Sequence, residues 1–437
     1  MFVAFTESCA ARRRARRCFV SGALLLFAAE AGAQAAAAPR APADEALGQG
    51  TEPAPPASDL TEIEAALAAD AALGTATDER AANRGPSPSP PSMNPDLALI
   101  GSFAGAVFSE AENHQTGAHD PSRNGFELLG LELVFGAAVD PALRFDGTLV
   151  FGHSGVEIEE AYATTLALGA RFAARFGRFA SRFGRANALH PHAWHFVDQP
   201  LPFGRVFGGE GLRGVGVELS YLTALPWFVE VTVAVTEASG DETARSFLGD
   251  DERAPEGPED LLTTLTLEQF FPLSADWSLA VGLSGAFGPN ATGNGKRTEV
   301  YGADLYLKYR PTTVRNALEL TLTSEWLYRR RQVPEDVLAD ASAYLELVLR
   351  VARRYGVGVR YELGSPSYGR SGDVVSDPLD PGWQRVRSRV AAAVSYAPSE
   401  YSRFRLQGSR DSAFGEPVWA AFLTAEVAIG AHRAHAF

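Results

Sequence analysis

Three histidines and an aspartate, His190, His192, His195 and Asp198, fall within nine residues of one another. A His-x-His pair can place two imidazoles on one side of an extended segment, and borderline-soft Zn²⁺ accepts such nitrogens beside a carboxylate. Pro191 stands between the first two, and no fourth ligand is evident nearby. Metal binding and the lining of a pore therefore stay open as alternative roles for the stretch. Histidine is mostly neutral at pH 7.5 and charged below about pH 6, so the stretch is expected to gain positive charge on acidification. Around it lie Arg182, Arg185, Arg205 and Glu210, together with six large apolar side chains: Phe183, Leu189, Trp194, Phe196, Phe203 and Phe207. Such residues cannot stay in water on a long loop, and they need a wall to bury them.

That wall is legible as a period of two. Trp277, Leu279, Val281, Leu283 and Phe287 alternate with small or polar residues, as do Leu318, Leu320, Leu322 and Trp326, and Val386, Val390, Val394 and Tyr396. Segments of about ten residues, apolar on one face and polar on the other, fit a transmembrane β-barrel. Strands of a soluble sandwich are commonly about five or six residues long. Sixteen strands are predicted between residues 97 and 431, at 97–109, 126–139, 142–153, 156–166, 170–179, 212–222, 227–238, 259–271, 276–288, 298–309, 314–330, 339–352, 355–366, 384–397, 401–411 and 417–431. Short links such as Asp140-Pro141 and Ala397-Pro398-Ser399 alternate with long ones at 110–125, 180–211, 239–258, 289–297 and 367–383. Alternating short turns and long outer loops, with an even strand count, is the barrel pattern. The fold class read from the sequence is thus all-β, a closed antiparallel transmembrane β-barrel of about 16 strands with a disordered N-terminal extension.

Composition agrees with this placement. The 437-residue chain has a formal charge of −14, which argues against nucleic acid as a partner. Five arginines between Arg12 and Arg17 precede an apolar run from Cys18 to Ala29 and the small residues Ala31-Gly32-Ala33. That is the layout of a secretory signal, predicted over 1–33 and cleaved. Both cysteines, Cys9 and Cys18, lie inside it, so the mature chain is expected to have neither disulfides nor thiolate sites. Residues 34–95 are rich in Ala and Pro and read as a periplasmic extension with a short helix near 58–74. The barrel portion is 96–437. Trp227, Trp277, Trp326, Trp383 and Trp419 fall near strand ends, where an aromatic girdle belongs.

Gly177-Arg178-Phe179-Ala180-Ser181-Arg182-Phe183-Gly184 resembles the "G-R/K-F-x-S-x-F-G" stretch of bacterial porins related to the phosphate-selective porins O and P. His190 to Trp194 with Phe196-Val197-Asp198, and the ending Gly430 to Phe437, are similar to a group of outer-membrane proteins labelled zinc-regulated or TonB-dependent receptors. The resemblance covers roughly 95–437. A TonB-dependent receptor implies about 22 strands around a plug, which the 342 residues from Asp96 onward do not supply. The lysines that the phosphate-selective group implies have no counterpart, since Lys296 and Lys308 are the chain's only two. The resemblance does imply that the third long loop, 180–211, folds into the barrel and narrows it.

Strand positions opposite the apolar stripe carry Glu218, Glu230, Glu268, Asp304, Glu319, Glu325 and Glu346 on strands six to twelve. Arg360, Arg387, Arg389, Arg403 and Arg405 follow on strands thirteen to fifteen. Acidic and basic walls of this kind would orient dipolar solutes in a water-filled lumen. The residues expected to line the pore are Arg182, Arg185, Arg205, Asp198, Glu210, Glu218, Glu319, Glu325, Arg360, Arg387, Arg389, Arg403 and Arg405. No spacing assembles a nucleophile with its base, so an enzyme is not expected. The sequence reads as an outer-membrane porin-like channel of a Gram-negative bacterium for passive diffusion of small hydrophilic or ionic solutes. The alternative is a metal-binding receptor or uptake protein that uses His190, His192 and His195 on Zn²⁺. Expected partners are outer-membrane lipid and lipopolysaccharide, the barrel-assembly machinery through the strand ending in Phe437, and further copies in a homotrimer.

Overall fold

The computed structural model describes residues 95–430 apart from 111–113, 153–154, 241, 252, 313–317 and 413–415. The predicted signal segment, the helix near 58–74 and the terminal Phe437 lie outside the described residues. Sixteen strands follow one another as β1 (Asp96–Phe108), β2 (Gly125–Asp140), β3 (Leu143–Gly152), β4 (Gly155–Thr165), β5 (Phe172–Ala180), β6 (Arg213–Leu222), β7 (Phe228–Thr236) and β8 (Leu262–Pro272). They continue as β9 (Trp277–Pro289), β10 (Arg297–Tyr309), β11 (Leu318–Gln332), β12 (Val337–Val351), β13 (Tyr355–Gly364), β14 (Arg387–Ser399), β15 (Ser402–Asp411) and β16 (Val418–Gly430). Every predicted strand is present, displaced by a few residues at its ends.

Each strand pairs antiparallel with its neighbours in sequence, and β1 pairs with β16 from Ala98↔Gly430 to Phe108↔Ala420, so the sheet closes. Closure gives every strand a neighbour on both sides and leaves no edge strand, the condition for crossing hydrocarbon. The alternation sets the two faces. Val107, Leu219, Leu283, Val359, Leu406 and Leu423 point outward and are 46–67% exposed. The sheet is a transmembrane β-barrel, and this apolar surface is its membrane-facing side. At the short-turn rim, the register pairs Phe172 with Tyr221, Trp277 with Tyr309 and Tyr355 with Tyr396, each in ring contact. Trp227 and Trp419 are also exposed near strand ends, whereas Trp326 is exposed at the middle of β11. Trp383 departs from the predicted girdle. It is buried inside the lumen, with the guanidinium of Arg205 3.9 Å from its ring and that of Arg387 5.0 Å away.

The long-loop rim carries loops that we number L1 to L8 in chain order; four matter here, L1 (109–124), L3 (181–212), L4 (237–261) and L7 (365–386). L3 runs through the lumen and contains one short helix, α1 (Leu201–Phe207), all of whose residues are buried. Phe183, Phe203, Val206 and Phe207 of L3 join Phe247 and Leu248 of L4 and the inward Leu262, Ala286, Val300, Leu327 and Tyr344 in one apolar cluster. The outer half of the barrel thus holds a packed core in its interior. The loop's predicted need for burial is met by Phe183, Phe196, Phe203 and Phe207, while Leu189 and Trp194 are half-buried.

Candidate functional site

L3 enters the lumen at Gly184, whose φ of +59° suits a residue without Cβ, and a Cβ there would run into Glu325 Oε2. That close approach lets the backbone N–H groups of Arg185 and Ala186 donate to the two oxygens of Glu325 at 2.9 and 2.8 Å. Gly184 N–H donates to Ser284 Oγ at 3.0 Å. Asn187 then ties the ends of the loop together. Its Nδ2 donates to the carbonyls of Ser181 and Leu212, and its Oδ1 accepts from Leu212 N–H.

From there the loop crosses to the opposite wall. Asp198, fully buried, accepts from Arg360 on β13 at 2.5 Å, from Gln407 on β15 at 2.7 Å and from Arg389 on β14 at 3.2 Å. Burial would raise the Asp198 carboxyl, but the two guanidiniums outweigh it and hold the carboxyl below the ordinary range. Arg405 donates to the carbonyls of Trp194 and Phe196, and Arg403 to those of His192 and Trp194. Glu362 accepts from Leu201 N–H at 2.8 Å, at the start of α1. Arg387 pairs with Asp411 at 2.7 Å. Arg205 of α1 donates to the Ser365 carbonyl and lies 3.4 Å from Asp380, within a network that also joins Arg245, Arg329, Arg331, Asp340 and Asp377.

Of the thirteen side chains expected to line the pore, nine are buried: Asp198, Arg205, Glu210, Glu218, Glu325, Arg360, Arg387, Arg389 and Arg405. They do not face open water. Arg360, Arg389 and Arg405 are removed from solvent because L3 lies over β13–β15 and is bound there by their charges, whereas Arg387 pairs with Asp411 and Glu218 with Arg175. Arg182, Arg185, Glu319 and Arg403 remain half-buried. Arg182 reaches Glu230 at 3.1 Å and Glu218 at 3.3 Å, while Arg175 holds Glu218 with two hydrogen bonds. The Arg185 guanidinium sits 3.7 Å from the Tyr306 ring. Half-buried Glu230, Glu268, Tyr306, Lys308 and Glu319 continue along this side. The charges are less segregated than the sequence suggested: buried Arg329 and Arg331 stand on β11 among the acidic strands, and Glu362, Asp411 and Glu426 pair with the arginines of β13–β15.

The three loop histidines do not share one environment. His195 Nδ1 lies 2.9 Å from Glu346 on β12, a different wall strand from those the other two meet. His192 Nδ1 is 2.8 Å from Glu132 on β2, and the His190 and His192 rings stack with centroids 5.6 Å apart. His190 places Nδ1 3.1 Å from Glu159 and Nε2 3.2 Å from Glu160, both on β4. Burial pulls His190 down, yet the hydrogen bonds and charges of the two glutamates raise it well above its ordinary value. The expectation that it gains its charge between pH 7.5 and 6 fails for this residue.

Consecutive residues of a strand ordinarily face opposite sides, so Glu159 and Glu160 should not both meet one imidazole. A β-bulge makes it possible: Leu149 pairs with Ile158 and Thr148 with Glu160, leaving Glu159 as the extra residue. Beyond the bulge β4 parts from β5, which it pairs only from Ala161↔Arg178 to Thr164↔Arg175, and Glu160 Oε1 accepts the free Ala180 N–H at 2.8 Å. On the other side of Glu159 stand His119 of L1 at 3.2 Å and Arg213 at 2.9 Å, with Glu210 3.1 Å from His119. Sequence reasoning missed Glu132, Glu159, Glu160, Glu362 and His119. Alternation marks Glu132 and Glu362 as inward, and Glu159 too from Val156 and Ile158; Glu160 is out of phase with those two and turns inward only through the bulge.

A protein of Aquifex aeolicus described only as uncharacterised is 30% identical to this chain, over 78% of the chain and 80% of its own length. The chain belongs to the family of that protein. No protein-family model matches it. Among solved structures it is similar to the outer membrane channel DcaP of Acinetobacter baumannii (TM-score 0.51, 12% identity, 77% of this chain and 97% of that one). It is likewise similar to an anion-selective porin from Comamonas acidovorans (TM-score 0.50, 12% identity, 77% and 99%). A loop L8 deletion mutant of OmpT, an outer membrane protein of Vibrio cholerae, matches at TM-score 0.50 with 10% identity over 77% and 99%. These likenesses establish the porin-type barrel fold. Inside that fold, the charged side chains divide between those that anchor L3 and those that border the space beside it.

Proposed function

We propose that this barrel is an outer-membrane channel through which small hydrophilic or ionic solutes diffuse past L3 along its acidic side. One observation carries the reading: L3 is folded into the lumen and covers the basic wall, yet Arg182 and Arg185 stay half-exposed beside Glu230, Glu268 and Glu319. Half-exposed positive and negative groups set side by side on one wall, with Arg182 paired to Glu230 at 3.1 Å, orient dipolar solutes and favour small ones. A cavity of about 780 Å³ lies outside the loop, bordered by Arg245, Asp250, Asp380 and Arg387 among others. Another of about 200 Å³ lies towards the short-turn rim beside Arg350, Arg353, Arg354 and Arg403. Both suit entry and exit vestibules. A phosphate preference, as the resemblance would imply, has no lysine cluster to rest on, so we assign no single solute.

In this reading no residue performs covalent chemistry. The chain is exported with its signal segment removed, the apolar belt meets lipid and lipopolysaccharide, and the segment ending in Phe437 engages the assembly machinery; association as a homotrimer belongs to the same proposal. Purified protein in a planar bilayer tests the reading directly. Discrete conductance steps are expected, and they should grow when residues 186–209 are replaced by a short Gly-Ser link. A native protein that inserts but gives no steps above background would overturn it.

A further inference from the structure

We propose that the cluster between L3, β2 and β4 is a binding site for one divalent transition-metal ion of the Zn²⁺ class, which displaces the proton of His190 Nδ1 and is held by that nitrogen, Glu159 Oε2 and Glu132 Oε1. The inference goes beyond the channel reading and stands whether or not the barrel conducts. His190 Nδ1 lies 3.1 Å from Glu159 Oε2 and 3.6 Å from Glu132 Oε1, and all three atoms fall within 4.8 Å of one another. Metal–ligand bonds of about 2.0–2.1 Å in a tetrahedron put neighbouring ligands about 3.3 Å apart, which these two distances bracket. Glu132 Oε1 is buried and accepts no hydrogen bond, although its side chain is sealed inside the protein. An acceptor left without a proton in such a place is costly, and a cation would relieve it.

The outer contacts are those of a built site. Ligating imidazoles ordinarily give their second nitrogen to a carboxylate, and ligating carboxylates are themselves hydrogen-bonded. His190 presents Nε2 to Glu160 Oε2 at 3.2 Å. Glu132 has its other oxygen 2.8 Å from His192 Nδ1, and Glu159 has its other oxygen 2.9 Å from Arg213 and 3.2 Å from His119. The β-bulge aims Glu159 and Glu160 at the same ring, one on each nitrogen. A cavity of about 40 Å³, lined by Glu132, Glu159, His119, His192 and Arg405 among others, borders the two carboxylate ligands.

A second triad, His119 with Glu159 and Glu210, shares Glu159 but has Arg213 against both carboxylates, and that guanidinium occupies the place a cation would need. One nitrogen with two carboxylates selects a borderline ion over Ca²⁺, which takes about 6–8 oxygens. Bound there, the ion would clamp L3 to β2 and β4. His195, on Glu346, takes no part.

The test uses the purified full-length protein in detergent, stripped with chelator and titrated with Zn²⁺ by calorimetry and with Co²⁺ by visible absorption. One Zn²⁺ per chain and a Co²⁺ ligand-field band of low coordination number are expected. His190→Ala or Glu159→Gln should weaken Zn²⁺ by more than about 100-fold, and Glu160→Gln, acting through His190, by about 10–100-fold. His195→Ala should bind as the native protein does. Retention of heat-modifiable gel mobility checks that each variant is folded; should Glu159→Gln misfold, His190→Ala and the native Co²⁺ spectrum decide. A native chain that binds neither ion stoichiometrically overturns the proposal. So does binding that survives His190→Ala or is lost in His195→Ala.

Discussion

Asp198 joins L3 to three strands, and its removal isolates two buried cations. In Asp198→Ala, Arg360 and Arg389, each almost fully buried, lose a shared partner and keep Glu362 and, for Arg389, Asp411. Breaking a buried ion pair from one side costs about 3–5 kcal/mol. The variant should lose its folded gel mobility at a lower temperature than the native protein, and its L3 should become accessible to trypsin at Arg182 and Arg185. Because the Asp198 carboxyl is held below its ordinary range, its contribution is complete above about pH 4 and disappears as pH falls through its lowered value. At this scale the sequence was half legible. Alternation along β13–β15 turns Arg360, Arg389 and Arg405 inward, but nothing in a period of two says that a loop will cover them. Burial turned expected pore lining into anchorage, and it took Trp383 from the rim into the lumen, where it supports Arg205.

The strands were legible because one face meets lipid over about ten residues at a time, which fixes both period and register. The helix α1 was not, since Leu201-Pro202-Phe203-Gly204-Arg205-Val206-Phe207 is apolar almost all round and forms only because L4, β12 and β13 bury it. Its approach depends on Gly184. A Gly184→Ala change places a side chain at positive φ, costing about 1–2 kcal/mol, and drives it into Glu325. L3 should lift from β11, seen as larger and noisier conductance with unchanged barrel mobility on gels. L1 meets L3 through Asp120, which accepts from Gln199 N–H and Gly117 N–H, each at 2.8 Å. Burial and the nearby Asp198 charge push the Asp120 carboxyl up to about 7, against the pull of those two N–H groups and of Arg389. An acid raised in the folded state holds its stability at low pH and loses it as pH rises, here from about 4 towards 7. Trypsin should therefore cut L1 at Arg123 faster at pH 8 than at pH 6, relative to an Asp120→Asn variant that lacks the titration. Equal ratios at both pH values would remove Asp120 from the contact.

For the molecule as a whole, the decisive consequence is which charges still face water once L3 is seated. The formal charge of −14 says little about the pore, because exposed charges more than a Debye length away, about 10 Å at 0.1 M salt, are screened. Most of the basic wall is neutralised by L3 and Asp411, whereas on the other side Arg182 and Arg185 stand beside Glu230, Glu268 and Glu319. Selectivity should then respond to these groups and scarcely to Arg360 or Arg389. In a KCl gradient, Arg182→Gln with Arg185→Gln should move the reversal potential towards cation preference, and Glu230→Gln with Glu268→Gln should move it the other way. Both shifts should shrink at 1 M salt, where the screening length falls to about 3 Å. Arg182→Gln also frees Glu230 from its cation, while Glu218 keeps Arg175, so the first pair should shift the potential by more than two lost charges in open water would. If neither pair moves the potential, ions do not pass between L3 and the acidic strands, and the path must be sought on the other side of the loop.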